Sequence, residues 1–320
     1  MPDIWASLFL PLIRLLVGLS IGLLVANLLE TLQWTATLAR FAKPLARLAH
    51  FHPVSGSAFS LAFVSPASAN GLLSDAWSRG GISSTELVLA NLFNSFPAYL
   101  VHLPSLFLLI WPVLGFPAAI YVGLSLLAAL GRTILTLIFG HFILPAKAGC
   151  VDEKILPETE RATKAPVWRK ALLKAWKRFL GRLSKLLLYT IPIYILMYIL
   201  QRGGFFAIAQ GWLAEQMAFL SFLKPQMMGI IIFHLAAELG PALGAAGSLL
   251  QEGALTSHEI IVALLVGNIV STPMRAIRHQ LPAYSGFYRP TMALWLIIIN
   301  QGLRAISMIA VTVIYVALCA

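Results

Sequence analysis

The sequence is poor in cysteine and in charge. Its two cysteines, Cys150 and Cys319, lie far apart with no CxxC or Cys/His spacing. They give neither a disulfide framework nor a metal site. Charged residues make up only 11% of the chain, against about a quarter in a soluble domain. No Gly-x-Ser-x-Gly, no His-Glu-x-x-His and no phosphate-binding glycine loop is present. With no recognisable nucleophile–base motif, the chain does not read as an enzyme. No cofactor and no bound metal are expected.

What the chain has in excess is apolar sequence, at 59%. The runs 7–29, 118–144, 183–201 and 291–318 reach the ~20 residues needed to cross a bilayer. The first run lacks a basic n-region and a small-residue cleavage site, so it is not a removable signal. The expected class is an all-α polytopic integral membrane protein. The net charge of +11 invites a nucleic-acid reading, but its location opposes that. Residues 147–185 hold eleven Lys/Arg and four Asp/Glu. A basic segment between spans reads as a cytoplasmic loop beside anionic lipid.

The chain then says one thing twice. Glu86-Leu87-Val88-Leu89-Ala90 precedes Asn94-Ser95-Phe96-Pro97, His102, Pro104, Pro112 and a helix with Gly131-Arg132. Glu259-Ile260-Ile261-Val262-Ala263 precedes Gly267-Asn268, Ser271-Thr272-Pro273, His279, Pro282, Pro290 and a helix with Gly302-Leu303-Arg304. Upstream, Phe41-Ala42-Lys43-Pro44 answers Phe222-Leu223-Lys224-Pro225, and Ser65-Pro66 answers Gly240-Pro241. The expected organisation is a first repeat at 1–146, a basic cytoplasmic linker at 147–185 and a second repeat at 186–320.

Each repeat is expected to contain about three full spans, a broken helix and a re-entrant hairpin. Segments 53–76 and 226–250 carry proline and glycine mid-run and read as broken helices. A break in lipid is tolerated only inside protein or beside a water-filled cavity. Segments 84–112 and 258–288 read as hairpins whose tips are the Asn–Pro stretches. Residues 33–50 read as an interfacial amphipathic helix answered by 205–223. No Lys or Arg lies between Arg79 and Arg132, whereas the matching region has Arg275, Arg278 and Arg289. By the positive-inside rule the two hairpins then face opposite sides. The repeats are inverted, both termini are external, and the linker is inside.

Inverted repeats with matched breaks point to a transporter with its site at the seam, near the midplane. Candidate substrate residues are Asn94, Ser95, Asn268, Ser271 and Thr272 at the hairpin tips, with Ser65 and Asn70 on the opposite wall. Arg132 and Arg304 are costly in mid-bilayer. They either clamp the fold by pairing internally or face an anionic substrate. Glu238 and His234, one turn apart, are candidates for coupling to H+ or Na+. His102 and His279 cap broken backbone or relay protons. Arg275, Arg278 and Arg289 read as topology determinants.

Pro53-Val54-Ser55-Gly56-Ser57-Ala58, with Gly71-Leu72-Leu73-Ser74-Asp75, resembles the nucleoside-recognition (Gate) membrane proteins, including the spore-maturation membrane proteins. The repeated units are similar in layout to the Gate modules of ferrous-iron and concentrative nucleoside transporters. The GTPase domain and membrane cysteines of the iron transporters have no counterpart in this sequence. The resemblance implies a transporter-like bundle and a nucleoside-like solute.

The expected function is therefore a secondary transporter or permease for a small polar, anionic or nucleoside-like solute, in a bacterial or archaeal inner membrane. The alternatives are a flippase for a phosphorylated lipid, and a non-transporting assembly or signalling partner that docks through 147–185. Expected partners are the solute or lipid phosphate, membrane lipids and a second copy of the chain, without nucleic acid.

Overall fold

A computed structural model describes residues 42–145, 223–237 and 239–319, with isolated positions between 5 and 21 and between 173 and 203. The runs 7–29 and 183–201, most of the linker 147–185, the helix expected at 205–223 and Glu238 lie largely or wholly outside these residues. Among the described residues every regular element is helical. In order these are α1 (Ala42–Leu48), α2 (Pro53–Ala62), α3 (Pro66–Ser78), α4 (Ser84–Leu114) and α5 (Phe116–Ile143). The second half contains α6 (Pro225–Ala237), α7 (Leu239–Gln251), α8 (Ser257–Val270) and α9 (Thr272–Arg275). A π-helical segment (Ala276–Gln280), α10 (Leu281–Ser285) and α11 (Pro290–Cys319) complete it.

Three described helices, α4, α5 and α11, are long and apolar enough to cross a membrane. Their outward faces carry large exposed apolar side chains, among them Leu127, Phe142, Trp295 and Leu318. Such continuous apolar faces belong against lipid or a partner.

The hairpin expected at 84–112 is not there. α4 runs 31 residues through Pro97, Pro104 and Pro112, about 46 Å at 1.5 Å per residue. Each proline removes one backbone bond, but a membrane helix tolerates this where hydroxyls and neighbouring helices meet the freed groups. Near the first proline, Ser95 Oγ donates to the Leu92 carbonyl at 2.6 Å, one residue before the Phe93 carbonyl that Pro97 leaves without its helical partner. In the second half the expected tip at Asn268–Pro273 is likewise passed. The residues joining α8, α9, the π segment and α10 are all right-handed helical, so Ser257 to Ser285 forms one bent rod.

The chain folds back instead at the stretches expected to be broken spans. Ser65 is extended (φ −150°, ψ 99°) between α2 and α3 and caps α3, accepting from Ser68 N–H. The outer ends of both helices lie at the start of α4. His52 N–H and Ser55 Oγ donate to Glu86 Oε1 at 2.6 and 2.8 Å, and Trp77 Nε1 donates to Ser84 Oγ. Asn70, near the tip, meets Asn91 further along α4. The α6–α7 pair repeats this. Lys224 pairs with Glu259 on the first turn of α8, while His234 lies against Gly267, two turns deeper. Helices of ten to thirteen residues span about 15–20 Å, short of the ~30 Å hydrocarbon layer.

The turns that follow the two pairs match residue by residue at a constant offset. Gly80 and Gly253 take φ of 74° and 66°, a region that glycine enters without a Cβ penalty. Gly81 N–H bonds the Ala76 carbonyl, and Ala254 N–H bonds the Leu249 carbonyl. Ile82 and Leu255 are buried. Ser83 and Thr256 cap the next helices with the same dihedrals, φ −74° and ψ 161°. One position out of this frame, Pro53 opens α2 as Pro225 opens α6. By its place at the start of the first short helix of its pair, Pro225 is matched by Pro53 rather than by Pro44.

Two apolar clusters fix the helix directions. One joins the start of α4 (Leu87, Ala90), Leu144 past the end of α5, the start of α11 (Ala293, Leu296), and Tyr284. The other joins the end of α4 (Ile110, Leu114), the start of α5 (Ala118, Tyr121), the start of α8 (Ile260, Ile261) and the end of α11 (Met308, Tyr315). Hence α4 runs antiparallel to the 257–285 rod, and α5 antiparallel to α11.

Candidate functional site

A cavity of about 1170 Å³ lies between the tips of the two helix pairs, with Pro66 and Ala67 on one side and Leu239 on the other. Its walls come from α4, α5, the 257–285 rod and α11. Of the residues expected from sequence, Asn70, Asn94, Ser95, Arg132, His234, Asn268 and Arg304 line it, as do His102 and His279. Ser65, Ser271 and Thr272 do not. Ser65 is occupied in capping α3, and the hydroxyls of Ser271 and Thr272 both donate to the Asn268 carbonyl at 3.1 Å. Glu238 lies outside the described residues.

Asn268 organises one end of the site. Its Nδ2 donates to the Tyr121 hydroxyl at 2.8 Å. Its Oδ1 accepts from Arg275 Nη2 at 2.9 Å and from Arg304 Nη2 at 3.1 Å. Two guanidiniums thus converge on one neutral oxygen, and Arg132 is near enough to Arg304 for the two to repel. Arg132 projects from α5 with 6% of its surface exposed and its Nε unpartnered. No described carboxylate faces Arg132 or Arg304. Internal pairing, one of the two roles expected for these arginines, is thus made by Arg304 with the amide oxygen of Asn268, and no described carboxylate takes part. Arg275, expected only to set topology, stands in the wall.

A second polar group closes the other end. Asn91 Nδ2 donates to Asn70 Oδ1 and lies 3.0 Å from the Tyr284 hydroxyl. Asn300 Nδ2 donates to Asn91 Oδ1, and the Tyr288 hydroxyl donates to the Asn70 carbonyl. This group ties α3 of the first half to α10 and α11 of the second. The corresponding approach of α7 to α4 is apolar, through Leu103, Leu106 and Ala242.

Between these ends, several buried polar atoms have no hydrogen-bond partner among the described residues. They are both amide atoms of Asn94, Arg132 Nε, His234 Nδ1 and Gln301 Oε1. Buried polar groups are ordinarily paired. Here most of the unpaired ones gather around one cavity, His50 Nδ1 and His258 Nδ1 lying elsewhere, which is the pattern of a binding site. His234 is held there by close packing, since a Cβ on Gly267 would fall 2.9 Å from both His234 Cβ and Nδ1.

Asn91, Tyr121, Tyr284, Asn300 and Gln301 are wall residues that the sequence reading missed. Asn300 and Gln301 carried a usable signal, being polar residues one turn before Arg304 in an otherwise apolar span. Asn91 lies one turn before Asn94 and Ser95 and shares their face once α4 is read as continuous.

No protein-family model matches the chain, and no solved structure matches it. Three uncharacterized proteins of the archaeon Methanocaldococcus jannaschii are similar to it along most of their length. MJ0871 is 25% identical over 268 residues, 83% of this chain and 81% of its own. MJ1556 is 26% identical over 278 residues, 84% and 83% of the two chains. MJ0880 is 19% identical over 304 residues, 93% and 95%.

Proposed function

We propose that this protein is a polytopic membrane transporter built from two inverted repeats, which carries a small anionic solute through the cavity at their seam. The observation that carries this reading is the meeting of two short helix pairs, entering from opposite ends of the bundle, over a cavity holding Arg132 and Arg304. The pairs α2–α3 and α6–α7 act as the re-entrant hairpins, and α4 and the 257–285 rod as full spans. Exchanging these roles leaves an odd number of crossings per half, so the inverted orientation expected from the charges is retained. Half-length helices ending at the midplane suit a solute that must bind and leave on either side.

In this reading Arg132, Arg304 and Asn268 hold the anion, Asn94 binds its neutral part, and His234 with Glu238 provides the coupling to H+ or Na+. The 147–185 linker faces the cytoplasm and both termini face outward. Purified protein in proteoliposomes should take up a labelled anion against an unlabelled pool inside. Arg132→Gln and Arg304→Gln should each lower the initial rate at least ~10-fold while the variants stay folded. Flux that is absent for all anions tested, or unchanged in both variants, contradicts the proposal.

A further inference from the structure

We infer that the cavity binds a phosphate monoester, with its doubly charged phosphoryl group seated between Arg132 and Arg304. The inference rests on the reading of the cavity as a solute site and names the class of solute. Each half contributes a buried arginine to the cavity, Arg132 and Arg304, and Arg275 stands beside Arg304, so a multiply charged anion fits the wall better than a singly charged one. Arg304 and Arg275 converge on the single oxygen Asn268 Oδ1. Donors focused on one point fit one compact oxyanion, whereas a dicarboxylate needs two separated cationic points. Guanidinium forks match phosphoryl oxygens in pairs, and such charge-assisted bonds are about twice as strong as neutral ones.

The cavity, at about 1170 Å³, is far larger than inorganic phosphate. The rest of the solute extends toward Asn94, whose amide has both donor and acceptor free of protein partners. A hydroxyl-bearing body satisfies both. The same phosphoryl chemistry is offered by a soluble metabolite and by a lipid headgroup.

The test is calorimetric titration of the full-length protein in detergent, at one pH near 8, with four probes. These are glycerol 3-phosphate, dihexanoyl phosphatidic acid, dimethyl phosphate and lactate. At least one of the first two should bind ~10-fold or more tightly than dimethyl phosphate and lactate, which carry a single charge. Arg132→Gln should lose this preference, and Arg132→Lys, which keeps the charge without the fork, should recover part of it. Thermal unfolding of both variants confirms that they are folded. Tighter binding of glycerol 3-phosphate assigns a soluble solute, and tighter binding of the phosphatidic acid assigns a headgroup. Either order supports the phosphoryl assignment. Equal binding of lactate or dimethyl phosphate, or an undiminished preference in both Arg132 variants, overturns it. Monoester binding without proteoliposome flux would overturn transport and leave the ligand class standing. Flux of lactate with equal binding of all probes would do the reverse.

Discussion

Asn268→Asp is expected to raise the melting temperature and abolish anion binding in the same variant. Asn268 Oδ1 receives both Arg275 and Arg304, and no described carboxylate faces Arg304. A carboxylate in the same place answers the guanidiniums with a charge, and the Tyr121 hydroxyl, now an acceptor from Nδ2, can turn to donate. A buried carboxylate carries a desolvation cost. Here it meets positive charge already buried, so the balance favours it by about 1–3 kcal/mol. The same change puts fixed negative charge at the position proposed for the anion. Affinity for an anionic solute should fall at least ~100-fold, or about 2.7 kcal/mol. Thermal unfolding and titration on one preparation measure both. A variant that is destabilised yet binds normally would mean that Asn268 is only a helix-packing residue.

Glu86→Ala is expected to cost far more stability than Glu259→Ala, although the two residues occupy equivalent helix starts. Glu86 is 4% exposed, and one of its oxygens accepts both His52 N–H and Ser55 Oγ, fixing the base of α2 to α4. Truncation leaves both donors without that acceptor, at about 2–4 kcal/mol. Glu86→Gln keeps an acceptor and should recover most of the loss. Glu259 instead completes a capping box with Thr256 and pairs with Lys224, whose side chain is 55% exposed. An exposed pair and one cap together contribute only about 1 kcal/mol. Thermal unfolding of the three variants in detergent decides this, and equal losses for the two alanine variants would contradict it.

The helical, apolar character was legible because lipid leaves so few ways to satisfy the backbone. Arg132 and Arg304, singled out in sequence, both line the cavity. Which segment folds back was not legible. Proline at Asn94–Pro97 and at Ser65–Pro66 gives the same local signal, yet only Ser65 turns the chain. At Pro66 the ring sits at the first helical position, where its missing N–H is never needed. At Pro97 it sits mid-helix, and α4 continues through it without a bond to the Phe93 carbonyl. That distinction depends on packing, and it hid the face shared by Asn91, Ser95 and His102. Likewise, the basic character of Arg275 pointed to topology, and only the continued helix beyond Asn268 brings it onto the oxygen that Arg304 shares. The hydroxyls of Ser271 and Thr272 looked free in sequence because the carbonyl they bond belongs to a helix expected to have ended.

The most direct test of the central claim is the sidedness of the two matching turns. In a background carrying Cys150→Ser and Cys319→Ser, single cysteines at Arg79 and Gln251 sit at the ends of α3 and α7. Membrane-impermeant maleimide applied to intact cells, then to inverted vesicles, reports which side each faces. Oppositely inserted halves predict labelling of Gln251→Cys from outside only and of Arg79→Cys from inside only. Labelling of both from the same side would contradict the inverted arrangement, and with it a solute site shared between the halves.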